Sequence, residues 1–453
     1  MDGRIIRLLD GEASQNWEAL RETAFFARWS ERGLLVGTDE TALPDELSPE
    51  PFGMDVARVL EHEPVDFVSY PYEWSFGMLR AAALLQLELL LDALDEGMTL
   101  KDGTPYNVQW RGVDPVFIDI PSITRCEAGR PWAGYRQFCE LNLFPLMLQA
   151  YRGLDFQPWL RGRLEGIPVA QMRRLFGWRD CLKRGVISHV ILQNWVSGRY
   201  AGREEDTQTR VKNAGFSQEL VRANARRLRR TADRLRWEAP RTAWTQYESD
   251  CHYRSGDREA KRQFVEDTAR NSNWRVAWDL GSNTGEYSRL VSPYGESVVA
   301  MDSDGAAVEA LYQSLRTNGP RNITPLVVDL ADPSPGLGWR GRERSSLEGR
   351  GRPDLVLCLA LIHHLVIGKH IPLPSFVGWL GGLGATVVIE FVDRGDPMVE
   401  RLLSAKDDHY HDYNLGEFQA NLEACFRIVE RETLPGGTRI LFRAEPRHEE
   451  GAR

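Results

Sequence analysis

The stretch Asp279-Leu280-Gly281-Ser282-Asn283-Thr284-Gly285-Glu286-Tyr287 lies between the apolar run VAWDL and the helical segment YSRLV, and the fold turns on how it is read. Glycine supplies backbone where a chain must turn tightly and approach a ligand, and the helix N-terminus beyond it offers unpaired N–H groups to an anion. In a dinucleotide enzyme the second glycine of Gly-x-Gly-x-x-Gly lets a pyrophosphate reach the backbone. Asn283 holds that place here.

Outward from this turn the chain alternates short β-branched runs with helical segments, the pattern of a parallel sheet with crossover helices. The runs are VAWDL, SVVAMD, ITPLVVDL, DLVLCLAL, ATVVIEFV, FRIVERETL and TRILFRAE. Only Pro435, Gly436 and Gly437 separate the last two, so strands six and seven form a hairpin and one of them runs antiparallel. The second run ends at Asp302, 21 positions after Gly281, where a carboxylate accepts both hydroxyls of an adenosyl ribose. The third ends in Val328-Asp329-Leu330, which sets Asp329 at an adenine amino group and offers the backbone N–H of Leu330. A cofactor with a carboxylate and a sulfonium but no pyrophosphate tolerates Asn283, and Asp279 supplies a negative group for its ammonium. Taken singly, Gly281 and Gly285 serve strand-helix packing equally well, and Asp302 equally caps the helix of DGAAVEALYQSL. Their joint place at successive strand ends is what points to a ligand, because ligands of open parallel sheets bind there.

Carried by DLGSNTGEYSRL, AMDSD, VVDLAD and the closing hairpin, about 170 residues resemble the class I S-adenosylmethionine (SAM)-dependent methyltransferases. The resemblance implies a Rossmann-like, seven-stranded α/β sheet with SAM over Gly281, Ser282, Asn283 and Gly285, Asp302 at the ribose and Asp329 at the adenine. More narrowly, SYPYEWSF, LKDGTPYNVQW, PVFIDI, DLGSNTGEYS, GWRGRERSSL and ALIHHL together resemble bacterial two-domain, nodulation-protein-like methyltransferases over nearly the whole chain.

Strand four runs into Leu359-Ala360-Leu361-Ile362-His363-His364-Leu365, the place where the resemblance sets the methyl acceptor. An Asn-Pro-Pro-Tyr type motif is absent, which lowers the expectation of DNA base methylation. Histidine suits proton removal near neutral pH, so His363 or His364 is expected as a general base, with His363 slightly favoured. The competing role for the pair is packing under the sheet and capping the next helix. Glu390, at the end of strand five, is expected in the acceptor pocket. The run Asp407, Asp408, His409, Tyr410, His411, Asp412 has metal-ligand residue types without helical ligand spacing, so it reads as a solvated loop and no metal is expected. Arg340, Arg342, Arg344 and Arg350 are expected near the mouth of the cleft, in a lid or an anion contact.

The 453 residues suggest two domains. Residues 1–200 read as an α+β domain with its own core, including the buried helix Leu79 to Leu94 and the strand PVFIDI. Residues 201–240, with Leu220, Val221, Ala225, Leu228, Ala232 and Leu235 at helical spacing, read as a helical connector, and residues 241–453 as the methyltransferase domain. Asp102-Gly-Thr-Pro-Tyr-Asn107 followed by Asp119 resembles the catalytic-loop and metal-binding pair of aminoglycoside-phosphotransferase-like kinases over about 20 residues. No glycine-rich phosphate loop or strand-borne lysine stands upstream, so a degenerate kinase-like fold that contacts substrate through Asp102, Asn107 and Asp119 is the fuller reading, and a simple turn the plainer one.

With 42% hydrophobic and 27% charged residues the chain is of globular composition, and a net charge of −9 argues against broad nucleic-acid or membrane-surface affinity. Six cysteines form no CxxC pair, the N-terminus lacks an apolar signal core, and Gln86, Glu88 and Asp92 interrupt the most apolar stretch. The expectation is a cytoplasmic enzyme acting on a small-molecule acceptor at O or N. A kinase or bifunctional enzyme, and a SAM-binding regulator without turnover, are the alternatives. Composition leaves the oligomeric state undetermined.

Overall fold

Seven apolar runs in the C-terminal half become the strands of one sheet, and nearly every residue of the first five is buried, as expected where helices cover both faces. The strands are β1 (Val276–Leu280), β2 (Ser297–Asp302), β3 (Ile323–Val327), β4 (Leu355–Cys358), β5 (Thr386–Val392), β6 (Phe426–Thr433) and β7 (Arg439–Pro446). Their order across the sheet is β3-β2-β1-β4-β5-β7-β6. The first five pair in parallel, and β7 lies antiparallel between β5 and β6. The helices are α1 (Ser255–Asn271) before β1, α2 (Glu286–Val291), α3 (Gly305–Asn318), α4 (Leu373–Leu383), α5 (Pro397–Ser404) and α6 (Leu415–Cys425).

The computed structural model describes residues 3–44, 53, 55–127, 129–194, 218–240, 255–404 and 409–447, which divide into two units. The first comprises Met1–Val65, Ser69–Trp110 and Pro115–Glu238; the second comprises Asp66–Val68, Arg111–Asp114 and Ala239–Arg453. Two short pieces of the first half of the sequence thus belong to the second unit. Phe67 packs edge-on against Trp278 of β1 at 5.7 Å, and the Arg350 guanidinium lies over the Phe67 ring while donating to the Val68 carbonyl at 3.0 Å. Gly112 (φ +58°) sits where a Cβ would come within 1.6 Å of the Arg321 carbonyl oxygen, and Val113 N–H donates to that oxygen at 3.3 Å.

Within the first unit, the helix Phe76–Asp95 is buried along most of its length. The helix Gln218–Arg234, read from sequence as a connector, instead packs within the first unit on Phe76–Asp95. It buries Val221, Ala225, Leu228, Thr231 and Ala232, and ties down through Arg229 to Glu88 at 2.7 Å and Asp233 to Arg80 at 2.8 Å. Leu220, counted in its apolar stripe, is exposed. The rest of the expected connector, 201–217, lies outside the described residues. No helix among the described residues is long and apolar enough to cross a membrane.

Candidate active site

The turn after β1 is built by three positive φ angles: Gly281 (+75°), Asn283 (+49°) and Gly285 (+82°). Gly281 and Ser282 both donate to the Met301 carbonyl of β2, at 2.8 and 2.9 Å, which fixes the turn against the neighbouring strand end. A Cβ on Gly285 would stand 2.5 Å from Leu311 Cδ1 of α3, so this glycine is required for close packing of the turn. Gly285 is not among the residues that line the cleft.

A cavity of about 690 Å³ opens at the C-terminal ends of β1 to β4, within the roughly 300–1,000 Å³ range of ligand sites. Its walls bring together Asp279, Gly281, Ser282, Asn283, Asp302, Asp329, Leu330 and His364 of the residues singled out from sequence. Asp279 is buried and accepts from Ser288 Oγ at 2.5 Å; burial pushes its carboxyl up to about 6, with Ser288 opposing and Asp302 adding to the rise. Asp302 accepts from the backbone N–H of Asn283 and of Asp304, each at 2.8 Å, and burial raises its pKa. Asp329 accepts from Ala331 N–H at 2.9 Å and from Lys369 at 3.1 Å. Ser282 Oγ is buried without a hydrogen-bond partner among the described residues, an orphaned polar atom on the cavity wall of the kind a bound ligand satisfies. The three acids at successive strand ends, the positive-φ turn and this orphan hydroxyl fit an adenosyl cofactor with an ammonium and ribose hydroxyls.

Two residues expected at the acceptor, His363 and Glu390, lie off the cavity. His363 is fully buried off the cavity, both ring nitrogens unpartnered among the described residues, and burial drives its pKa well below the usual value. His364 is the ring on the cavity wall, its centroid 4.1 Å from that of His363 with the planes tilted by 40°; burial and then Arg439 lower it to about 4, which makes it a poor base near neutral pH. Glu390 is likewise fully buried and does not line the cavity; it bonds Lys261 at 2.5 Å and Arg439 at 3.2 Å, and Arg439 continues to Asp396 at 2.9 Å.

The residues that sequence reading missed include Arg258 and Lys261 of α1, Leu402 of α5, and Gly368 and Lys369 after β4, which join Glu286 and Tyr287 in the wall. The Lys261 ammonium lies 4.8 Å from the Tyr287 ring centroid. Ala360, at φ +51°, also lines the cavity, in a backbone region that costs a non-glycine residue about 1–2 kcal/mol. None of Arg340, Arg342, Arg344 or Arg350 lines it, and Arg344 and Arg350 are buried in the β3–β4 loop. Asp407 and Asp408 fall outside the described residues, and among the described residues no three His, Cys, Asp or Glu side chains stand together as a metal site.

Asp102, Asn107 and Asp119 belong to the first unit and do not line this cavity. Ile118 N–H donates to the Asn107 carbonyl at 2.9 Å, which joins the two segments. Asp119 pairs with Arg7 at 3.3 Å; burial raises its pKa, Arg7 opposes the rise and Asp102 adds to it.

A sheet ordered β3-β2-β1-β4-β5-β7-β6, with its cleft lined by acids at the C-terminal ends of β1, β2 and β3, is the architecture that the resemblance to class I SAM-dependent methyltransferases implied. No protein-family model matches the chain. It is 34% identical to nodulation protein NoeA of Rhizobium meliloti (strain 1021), over 98% of this chain and 92% of that protein. The chain belongs to the NoeA family of nodulation proteins. Among solved structures, the N-methyltransferase NodS from Bradyrhizobium japonicum WM9 is similar at 12% identity and a TM-score of 0.33, covering 43% of this chain and 98% of NodS. Magnesium protoporphyrin IX methyltransferase (ChlM) from Synechocystis PCC 6803 is similar at 17% identity and a TM-score of 0.31, covering 45% of this chain and 92% of ChlM.

Proposed function

We propose that the protein transfers the methyl group of SAM to an oxygen or nitrogen of a small-molecule acceptor in the cytoplasm, with the first unit choosing the acceptor. The observation that carries this is the convergence of Asp279, Asp302 and Asp329 from three successive strand ends on one cavity that Lys261, Tyr287 and His364 also line. SAM supplies an electrophilic methyl group. Asp302 would hold the ribose hydroxyls, Asp279 the ammonium, and Asp329 with the Leu330 N–H the adenine. The chain's own contribution to rate is then orientation of the acceptor in a dry cleft, which Leu359, Leu361, Leu365 and Leu402 help to keep apolar. Acceptor choice by the first unit is supported by a cavity of its own, of about 640 Å³, walled by Asn16, Thr99, Lys101, Arg125, Trp132 and Gln218 among others. Arg7 on Asp119 counts against a kinase reading of that unit, since it occupies the carboxylate that a metal would need.

Calorimetry on the full chain tests the site. Asp302→Ala leaves ribose hydroxyls unpaired, a loss on the order of 1–3 kcal/mol, so SAM affinity falls by about one to two decades. Parent-like affinity in a folded Asp302→Ala protein would refute the assignment, and SAM binding without transfer of labelled methyl to any small molecule would favour a regulator.

A further inference from the structure

The net charge of −9 is unevenly spread along the chain. Residues 152–192, all in the first unit, carry eight arginines and lysines against three acids, so this stretch is cationic within an acidic protein. Of the three acids, Asp180 is buried and committed to the Gly177 N–H at 2.7 Å and to Lys183 at 3.2 Å, which leaves Asp155 and Glu165 at the surface. Arg163, Arg173, Arg174, Arg179 and Arg184 are exposed. The same stretch gathers six of the eleven large apolar side chains left exposed among the described residues, a concentration that marks a contact surface. Two of them differ from the rest in degree: Trp178 is 78% exposed and Leu182 94%. They are four residues apart in the 3-10 helix Trp178–Leu182, whose Arg179 guanidinium lies 5.1 Å from the centroid of the Trp178 ring. The π turn Val186–Ile191, with Ile187 half exposed, packs on that helix and on the helix Val169–Leu175, which carries Arg173 and Arg174. Gly185 (φ +80°) lies between Leu182 and Val186, where a Cβ would stand 2.6 Å from Met147 Cε and 2.7 Å from Thr231 Cγ2. The patch is thus held against the core of its unit, with its apolar tips and its cations outward.

We propose that the first unit docks on an anionic phospholipid bilayer through the Trp178–Leu182 helix and the arginines beside it. Exposed apolar groups set among cations match a surface that is negative at its headgroups and apolar just beneath them. Tryptophan settles at that boundary, where its ring is buried and its N–H stays wet. The arginine stems lie down with it while their guanidinium groups remain among the phosphates. Attraction to the charged surface acts within a Debye length of about 8 Å at physiological salt, so the acids elsewhere in the chain do not cancel it. A single-stranded nucleic acid would use the cations and one stacking ring but gains little from Leu164, Leu182 or Ile187, which favours the bilayer.

The test is co-sedimentation of the full chain with vesicles of phosphatidylcholine alone and of phosphatidylcholine carrying about 30% phosphatidylglycerol. Partitioning should be at least about tenfold stronger on the anionic vesicles and should fall at least about tenfold between 0.05 and 0.5 M sodium chloride. Two variants divide the contributions. Trp178→Ser/Leu182→Ser removes the apolar tips and Arg174→Gln/Arg179→Gln removes two cations; each should weaken binding to the anionic vesicles by about tenfold or more. All the replaced side chains are exposed, so both variants should melt with the parent. Equal partitioning on the two kinds of vesicle, or parent-like binding by either variant, overturns the proposal. Vesicles left unbound overturn it as well. In that case, binding of a labelled single-stranded RNA that Trp178→Ser/Leu182→Ser abolishes would make the patch a nucleic-acid surface, and self-association abolished by the same variant would make it an interface between copies.

Discussion

Removing the Lys261 ammonium tests the account of the buried cluster directly. Glu390 is fully buried, and its carboxylate is held ionised against the upward push of burial by Lys261 at 2.5 Å and Arg439 at 3.2 Å. Lys261→Met takes away the nearer of two cations bonded to that charge, and the other, Arg439, is already committed to Asp396 at 2.9 Å. Breaking a buried pair by deleting one member costs about 3–5 kcal/mol, because the other charge is stranded in low dielectric. For a unit of about 200 residues, at roughly 2–4 °C per kcal/mol, the melting temperature drops by about 6–20 °C. Glu390→Gln alone strands Lys261 and falls in the same range. The double variant Lys261→Met/Glu390→Gln strands neither and should lie well above the sum of the singles, with a coupling of at least about 2 kcal/mol. The sign with pH is fixed as well. Without Lys261 the Glu390 carboxyl titrates higher, the folded state can take up a proton, and the deficit of Lys261→Met shrinks as pH falls. Urea melts of the parent, both singles and the double close the cycle. Additive losses, or a single variant that unfolds at the parent midpoint, would show that the cluster is not the anchor described.

SAM affinity should decline as pH falls below about 6, where the Asp279 carboxyl of the free protein gains its proton and loses its attraction for an ammonium; pH-independent calorimetry between 5 and 8 would remove Asp279 from that role. The native state should be acid-labile. His189 and His364 titrate near 4 when folded and near 6.5 when unfolded, so in that window the unfolded chain binds more protons and stability falls with pH, by up to about 3 kcal/mol for each at pH 4. Asp279, raised in the folded state, opposes them, so a melting temperature that rises between pH 6.5 and 4 would mean the histidines are not held neutral. Gly112→Ala combines a left-handed backbone with a Cβ driven into the Arg321 carbonyl, and should cost at least about 2 kcal/mol; an unchanged melting temperature would show that the Arg111–Asp114 hairpin tip is not packed there.

The features legible in the sequence are those written locally. Each strand is a short apolar run, and Asp279, Asp302 and Asp329 stand at the ends of such runs, so three acids that line the cavity could be read without a structure. Lys261 could not, because it is one charged residue in a polar helix and its meaning comes from Glu390, 129 positions away. Nor could Phe67 or Gly112, short pieces of the first half whose partners are Trp278 and Arg321. His363 and His364 are adjacent where a π turn, His364–Gly368, replaces regular helix, so the pattern carries no phase to say which ring faces the cavity. Glu390 misled for a related reason: six of the seven residues of β5 are buried, so strand alternation cannot tell a core carboxylate from one that faces a ligand.

The fate of Glu390 follows from the one reversed strand. Parallel strands bring their C-terminal ends to the same edge, and the acids at the ends of β1, β2 and β3 line the cavity there. β7 runs the other way, so its first residue, Arg439, pairs with Val392 at the end of β5 and brings a cation to that edge. A carboxylate two residues back on β5 meets this guanidinium inside the protein and is drawn into the core with Lys261. The antiparallel hairpin, read from sequence only as the closure of the sheet, thereby shapes the chemistry of the cavity. It holds one acid away from the cavity and anchors Lys261 in its wall.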